Sequence, residues 1–257
     1  MDGAYVFRPI LDQYDSDIYS RPMDVSVHQC DVSQQFIIDF VGQRTEKKKD
    51  QIEGDATVRV IVQKGLPGFR VDVELYGLPG NKNVGQEVTV NFHSKIENNG
   101  VFYTDSNGLE MQRRELNYRP TFEIHTKNSV NITANYYPIG SAISISDDRT
   151  QMIVMNDRAQ GGSVIQDGRI ELMQNRRSNA DDSRGVDEDL DEKDANGNGI
   201  SVPATYHVHI GLLPEHVYSG VQRYLQQRID NPQQQFYGFD GSDFSLGRNE
   251  KPVQQGF

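Results

Sequence analysis

One cysteine, Cys30, is all that the 257 residues hold. An internal disulfide is therefore excluded, as is any metal or redox centre built from thiols. A lone thiol of this kind reads as a small buried hydrophobe. Long apolar runs are missing too: no stretch approaches the roughly 18 residues that a membrane-crossing helix needs. The first residues carry no apolar secretory core, although a piece of a secreted protein would lack one as well. Positive charge is in deficit, with 26 Lys and Arg against 37 Asp and Glu for a net −11. Nucleic-acid phosphates would repel such a chain, and the surplus acid reads as a solubility device. There is no internal repeat.

What is present is a two-residue period. Val58, Val60 and Val62 alternate with Arg59 and the neighbouring Ile61, while Val71, Val73 and Leu75, then Val88, Val90 and Phe92, then Ile143 and Ile145 alternate with polar residues. This is the pattern of strands with one buried and one wet face. Met152 to Met155 is a short apolar run and reads as a strand buried on both sides. Turn signals such as Asn107-Gly108, Asp147-Asp148 and Asp167-Gly168 separate the runs. Many strands with regular turns predict an all-β fold of packed antiparallel sheets. One helix is predicted near 214–230. Pro214-Glu215 opens it, Asn231-Pro232 stops it, and Val217, Val221, Tyr224, Leu225 and Ile229 form its core stripe. Asn175 to Gly199 is almost wholly polar and reads as unstructured, as does the chain after Pro232. At this length the chain can bury a sizeable core as one large β domain or two smaller ones.

Several motifs invite chemistry and are better read as structure. Asp194-Ala195-Asn196-Gly197-Asn198-Gly199 matches half of a calcium loop, but position twelve is Thr205 where a bidentate Glu is required. His207 and His209 share a strand face without a recognisable third zinc ligand. Ser163 follows Gly161-Gly162, but Ile165 breaks the nucleophile-elbow pattern. The glycines read as permitting a tight loop or close backbone approach. Asp181 and Asp182 are adjacent in a wet loop, where nothing would drive their pKa values apart as an acid–nucleophile pair needs. Arg176, Arg177 and Arg184 lie near these carboxylates and read as a salt-bridged loop or as partners for sugar hydroxyls. Asn131-Ile132-Thr133 would accept a glycan in the secretory pathway.

Four further stretches carry a resemblance. They are Gly3-Ala4-Tyr5-Val6-Phe7-Arg8-Pro9, Phe102-Tyr103-Thr104-Asp105-Ser106-Asn107-Gly108, Asn135-Tyr136-Tyr137-Pro138 and Asp181-Asp182-Ser183-Arg184-Gly185. Tyr118-Arg119-Pro120, Asp157 to Ser163 and Asp167 to Met173 support them. In order and wording they resemble the carboxy-terminal β-domain of the class II α-mannosidases, glycoside hydrolase family 38, closest to the lysosomal type.

The resemblance implies an antiparallel β-sandwich of the galactose-mutarotase-like supersandwich kind, incomplete at both ends. Residues 1–211 would form the sandwich portion with an acidic loop at 178–200, residues 212–231 the helix and its connection, and residues 232–257 an irregular tail. It implies a whole enzyme that removes α-linked mannose from N-glycans with retention, in a lysosome, vacuole or secretory compartment. Its catalytic carboxylates and its Zn²⁺ ligands would lie upstream of Gly3, so no catalytic or metal residue falls in this chain, which would be inactive alone. The partners implied are the enzyme's own amino-terminal catalytic domain and an α-mannosyl oligosaccharide, with neither nucleic acid nor a membrane span. Two positions would reach the sugar: Tyr5 through its hydroxyl, and Arg184 through a polar contact made largely by its backbone. The alternative is a free-standing β-sandwich that binds carbohydrate or protein without catalysis.

Overall fold

The computed structural model describes Phe7 and residues 22–40, 55–76, 78, 85–124, 130–178, 180–185, 188–212 and 215–231. The strands are β1 (Pro22–Gln29), β2 (Ser33–Phe40), β3 (Asp55–Gln63), β4 (Phe69–Tyr76), β5 (Gln86–His93), β6 (Val101–Ser106), β7 (Glu110–Glu115), β8 (Tyr137–Ile139), β9 (Ala142–Ser146), β10 (Thr150–Asn156), β11 (Gln160–Gln166), β12 (Arg169–Arg177) and β13 (Ala204–Leu212). Two helices accompany them, the single turn α1 (Val130–Thr133) and α2 (Glu215–Asp230). Nine strands form one sheet in the order β1-β2-β3-β4-β13-β10-β9-β6-β7, and four form a second in the order β5-β12-β11-β8. Every ladder among the described residues is antiparallel.

The alternating valines do what their period predicts. Val71, Val73 and Leu75 of β4 are buried while Arg70, Asp72 and Glu74 between them are wetter. They join Ile143, Ile145, Met152, Val154, Tyr206 and Val208 of the large sheet, and Ile139, Val164, Ile170 and Leu172 of the small one. The core lies between the two sheets, driven by the removal of these side chains from water. Four strands cannot cover nine. Met23, Val25 and Val27 of β1 continue the same apolar face but stay exposed, so among the described residues the sandwich is unclosed on that side.

The centre of the large sheet is buried on both sides. Met152 and Val154 of β10 face the sandwich, whereas Ile153 and Met155 face α2. The helix lays Val221, Leu225 and Ile229 on Ala142, Ile153 and Met155. This corrects two expectations. Ser144 of β9 is not on a wet face but buried. Tyr224 leaves the core stripe for solvent, where the Arg228 guanidinium donates to its hydroxyl at 2.8 Å. The side chain of Val217 lies outside the described residues, as does the whole of 232–257.

Cys30 is another correction. It sits exposed in the turn between β1 and β2. The Ser33 hydroxyl, 3.3 Å from its sulfur, and nearby backbone groups lower the thiol's pKa.

The sequence motifs turn out to be joints of this scaffold. Asn107-Gly108 caps the β6–β7 hairpin, closed by the Leu109 N–H on the Ser106 carbonyl at 3.0 Å, with the Asp105 carboxylate accepting the Gly108 N–H at 2.7 Å. Buried Asn135 exchanges hydrogen bonds with Asn117 at 2.8 Å each, one from the Asn117 backbone N–H and one to its side chain. Tyr137 stands edge-on to Phe102, with the guanidinium groups of Arg114 and Arg119 over its ring at 4.5 and 4.1 Å. That arrangement satisfies an aromatic face with cation–π contacts.

Candidate functional site

The candidate site is built at the end of β12. A register shift between Met173 and Asn175 changes which side chains face outward. Beyond it Arg176 meets Glu87 on the outer face at 3.4 Å, while Arg177 turns in and donates to the Leu78 carbonyl at 3.2 Å. Above Arg176 lies the ring of Phe7, 5.4 Å from the guanidinium carbon. Phe7 in turn stands edge-on to Tyr136, ring centres 5.2 Å apart, and its carbonyl accepts the Thr133 hydroxyl at 3.2 Å. The Tyr136 hydroxyl donates to buried Glu171, which also faces Arg169 at 3.3 Å.

From this platform the chain enters the loop that carries Arg184. Ser178 anchors it, its N–H on the Leu190 carbonyl at 3.1 Å. Asp181 and Asp182 then act in sequence. Asp181 Oδ2 accepts the Ser183 N–H at 2.9 Å, and Asp182 Oδ1 accepts the Arg184 N–H at 3.0 Å. Such side-chain-to-backbone bonds two residues on are how Asp shapes a turn. They hold Ser183 and Gly185 at φ of +60° and +63° and present Arg184 to solvent. The two carboxylates are therefore turn-builders, and the ion pair made by Arg176 goes to Glu87. The stretch beyond is more ordered than its composition predicts. Asn175 to Arg177 belong to β12, and the amides of Gln174 and Asn175 grip the carbonyls of Val202 and Ile200 at 3.1 Å each.

Of the two predicted sugar-reaching positions, Arg184 is thus an exposed loop residue, and Tyr5 lies outside the described residues. Phe7, two positions after Tyr5, is the nearest described point of that motif. Sequence reasoning singled out Arg176 but not the platform it forms with Tyr136 and Glu171, although both of those lie in the family-like stretches.

The other candidates resolve as scaffold. The Ser163 hydroxyl is fully buried and donates to the Asn135 carbonyl at 2.7 Å. Gly162 lies in β11, not in a loop, and permits close approach: a Cβ there would stand 2.7 Å from Ile139 and 2.9 Å from Leu172. Asp194 Oδ1 accepts the N–H groups of Asn196 and Asn198 at 2.8 Å each, which makes a solvated turn of the calcium-like stretch. Among the described residues no three of His, Cys, Asp and Glu form a metal-holding group. The described residues do not fit a Zn²⁺ centre.

His207 is half-buried on the outer face of β13. Burial, followed by Arg70 and Arg228, lowers its pKa against the smaller opposing pull of Asp72 and Asp157. The unfolded chain then binds the proton first. The stabilisation from neutral His207 is present above the unfolded pKa near 6.5 and lost as pH falls through the lower folded value. Urea midpoints at pH 7 and pH 5 should show wild type losing more stability on acidification than His207→Gln. Equal losses would remove His207 from the pH response.

The fold defines an unclosed antiparallel two-sheet β domain whose exposed loop carries an arginine. Residues 1–184 match the family described as Glycosyl hydrolases family 38 C-terminal domain. The chain belongs to glycoside hydrolase family 38, a family of alpha-mannosidases. It is similar to the lysosomal alpha-mannosidase of Homo sapiens, 37% identical over 246 residues, covering 95% of this chain and 22% of that protein. The corresponding protein of Bos taurus is 39% identical over 153 residues, covering 60% of this chain and 14% of that one. A crystal structure of an alpha-mannosidase from Enterococcus faecalis overlays 80% of this chain and 24% of that one, with a TM-score of 0.55 at 14% identity. The chain therefore spans about a fifth or less of the length of these two curated relatives. No described helix is long and apolar enough to cross a membrane.

Proposed function

We propose that this chain is the β-domain segment of a retaining α-mannosidase that removes α-linked mannose from N-glycans and oligosaccharides in a lysosome, vacuole or secretory compartment. The segment packs on the enzyme's own catalytic domain and completes the sugar pocket with Tyr5 and Arg184. The acid, the nucleophile and the zinc ligands belong to the catalytic domain, and this chain alone is silent in catalysis.

One observation carries the reading. Phe7, two residues after Tyr5, packs on Arg176, and Arg176 lies eight residues before Arg184 on the same stretch of chain. The packing of Phe7 on the base of the Arg184 loop supports a common rim for the two motifs. Because the Arg184 N–H is donated to Asp182, a backbone contact from Arg184 falls to its carbonyl, and its side chain steadies the loop. Tyr5 supplies one hydroxyl to the bound mannose.

In a full-length enzyme carrying this segment, Tyr5→Phe should cost about 0.5–1.5 kcal/mol in kcat/KM, one hydrogen bond's worth. Arg184→Ala should raise KM more than it lowers kcat, through loosened sugar binding. The isolated chain should not cleave a chromogenic α-mannoside with or without added zinc. Turnover by the isolated chain, or wild-type kinetics in both variants, would refute the reading.

A further inference from the structure

Two arginines lack what their neighbours have. Arg114 of β7 and Arg119 just beyond it lie over the ring of Tyr137, 4.5 and 4.1 Å from its centre. β7 ends the large sheet and β8, which carries Tyr137, ends the small one. The pair therefore sits at the rim between the two sheets, at the end away from β1. Arg59, Arg70, Arg113, Arg158, Arg169 and Arg176 each hold a carboxylate at 2.6–3.4 Å. Among the described residues Arg114 and Arg119 hold none. Glu115, next to Arg114 in the chain, is taken by Arg113 at 2.9 Å on the opposite face of the strand.

The Tyr137 ring attracts cations through its quadrupole but brings no negative charge. Two half-buried guanidinium groups on one ring thus repel each other with no counter-ion between them. Burial, followed by the charge of Arg114, lowers the pKa of Arg119. Each group is fixed by one anchor. Arg114 Nε donates to the Thr104 hydroxyl at 3.0 Å, which leaves its two terminal nitrogens as a fork. Arg119 Nη2 donates to the Ala134 carbonyl at 2.7 Å, which leaves Nε and Nη1. None of these remaining nitrogens is sealed from water, so a ligand can reach them.

The donor set narrows the occupant. A carboxylate has two oxygens, and the Arg114 fork alone would use both. A phosphate or sulfate ester offers a further oxygen to Arg119, and a phosphate ester carries a charge of about −2 near neutral pH, which matches two cations. The net charge of −11 on the whole chain repels an extended polyanion and leaves room for a single ester group. We propose that Arg114 and Arg119 form a binding site for one tetrahedral oxyanion, a phosphate or sulfate ester group, at the β7–β8 rim. The site uses none of the residues of the sugar-pocket reading and does not rest on it.

The test is an NMR titration of the full 257-residue chain at constant ionic strength, following the Arg114 and Arg119 Nε–H signals. Inorganic phosphate should shift both saturably, with a Kd of about 1 mM. Sulfate is titrated separately; binding of either upholds the site, and the tighter of the two names the ester. Arg119→Lys keeps the charge, loses the planar fork and should weaken binding about 5- to 10-fold. Arg113→Lys, on the other face of β7, should bind as wild type does. Phosphate also stabilises proteins by exclusion from their surface, so melting temperatures are compared as differences. The rise on adding phosphate should be larger for wild type than for Arg119→Lys. Absence of saturable shifts would overturn the site, as would equal affinity or an equal rise in wild type and Arg119→Lys. Equal weakening by Arg113→Lys would trace the binding to diffuse surface charge and refute a defined site. Acetate saturating the same signals as tightly as phosphate or sulfate would rule out the tetrahedral oxyanion.

Discussion

Tyr206→Ala should cost about 3–5 kcal/mol of folding stability, the range for truncating a large buried aromatic. Tyr206 is fully buried at the middle of the large sheet and reaches across to the small one. Its ring stands edge-on to Phe92 of β5 at 5.6 Å. Its hydroxyl accepts from Gln160 of β11 at 2.9 Å and donates to Gln174 of β12 at 3.4 Å. One side chain thus contacts three of the four strands of the small sheet, and burial pushes the phenol's pKa up to about 12. Truncation leaves a cavity and strands two glutamine amides. Domains of this kind are stable by only about 5–15 kcal/mol, so the variant should be close to unfolding. Urea denaturation measures the loss, and Tyr206→Phe, which keeps the ring, should lose only about 0.5–1.5 kcal/mol. Similar losses for the two variants would locate the contribution in the hydroxyl rather than in packing. A loss below about 1 kcal/mol for alanine would mean that the sheets do not close around this residue.

Gly168→Ala should cost about 2–4 kcal/mol, although it adds only one methyl group. Gly168 turns β11 into β12 at φ +74°, a region unfavourable for L side chains. The turn is also clamped to the chain that leaves the small sheet for the large one. The Gly168 carbonyl accepts the Ser94 N–H at 2.8 Å and the Ser94 hydroxyl at 3.0 Å, and its N–H donates to Asn98 at 2.8 Å. A Cβ would stand 2.6 Å from the Ser94 carbonyl oxygen, which is backbone and cannot swing aside. Strain and clash add because the clamp prevents relaxation. The same substitution at Gly108, where no atom lies within 4 Å of the added Cβ, should cost only the left-handed strain. Equal melting temperatures for the two variants would show that the clamp is not rigid.

The strands that alternate cleanly were legible because period two needs only one buried face. Val71, Val73 and Leu75 show it, and the apolar run Met152–Met155 was legible as a strand buried twice. Ser144 was not, since only the arrival of α2 on the far side of β9 and β10 buries it. Cys30 followed its composition-based expectation poorly because a turn position overrides the preference of a thiol for the core. At the candidate site, the Asp181–Gly185 motif was visible as a string. What Asp181 and Asp182 do became visible only with backbone geometry, because a carboxylate that caps a turn and one that pairs with arginine are the same letter. The motifs that carry the family resemblance are mostly scaffold: Asn135, Tyr137 and the Asp105 hairpin hold joints of the sandwich.

By itself the sequence determined the all-β class, the helix that ends near Asp230, the exclusion of an internal disulfide and the family, because periodicity, turn residues, cysteine count and ordered motifs are read directly along the chain. The tertiary structure alone decided that four strands cover only part of nine, since strand order joins segments far apart in sequence. It also decided that, beyond the register shift in β12, Arg176 meets Phe7 and Glu87 while Arg177 turns in to the Leu78 carbonyl. Adjacent arginines are indistinguishable until pairing with β5 assigns each to a face.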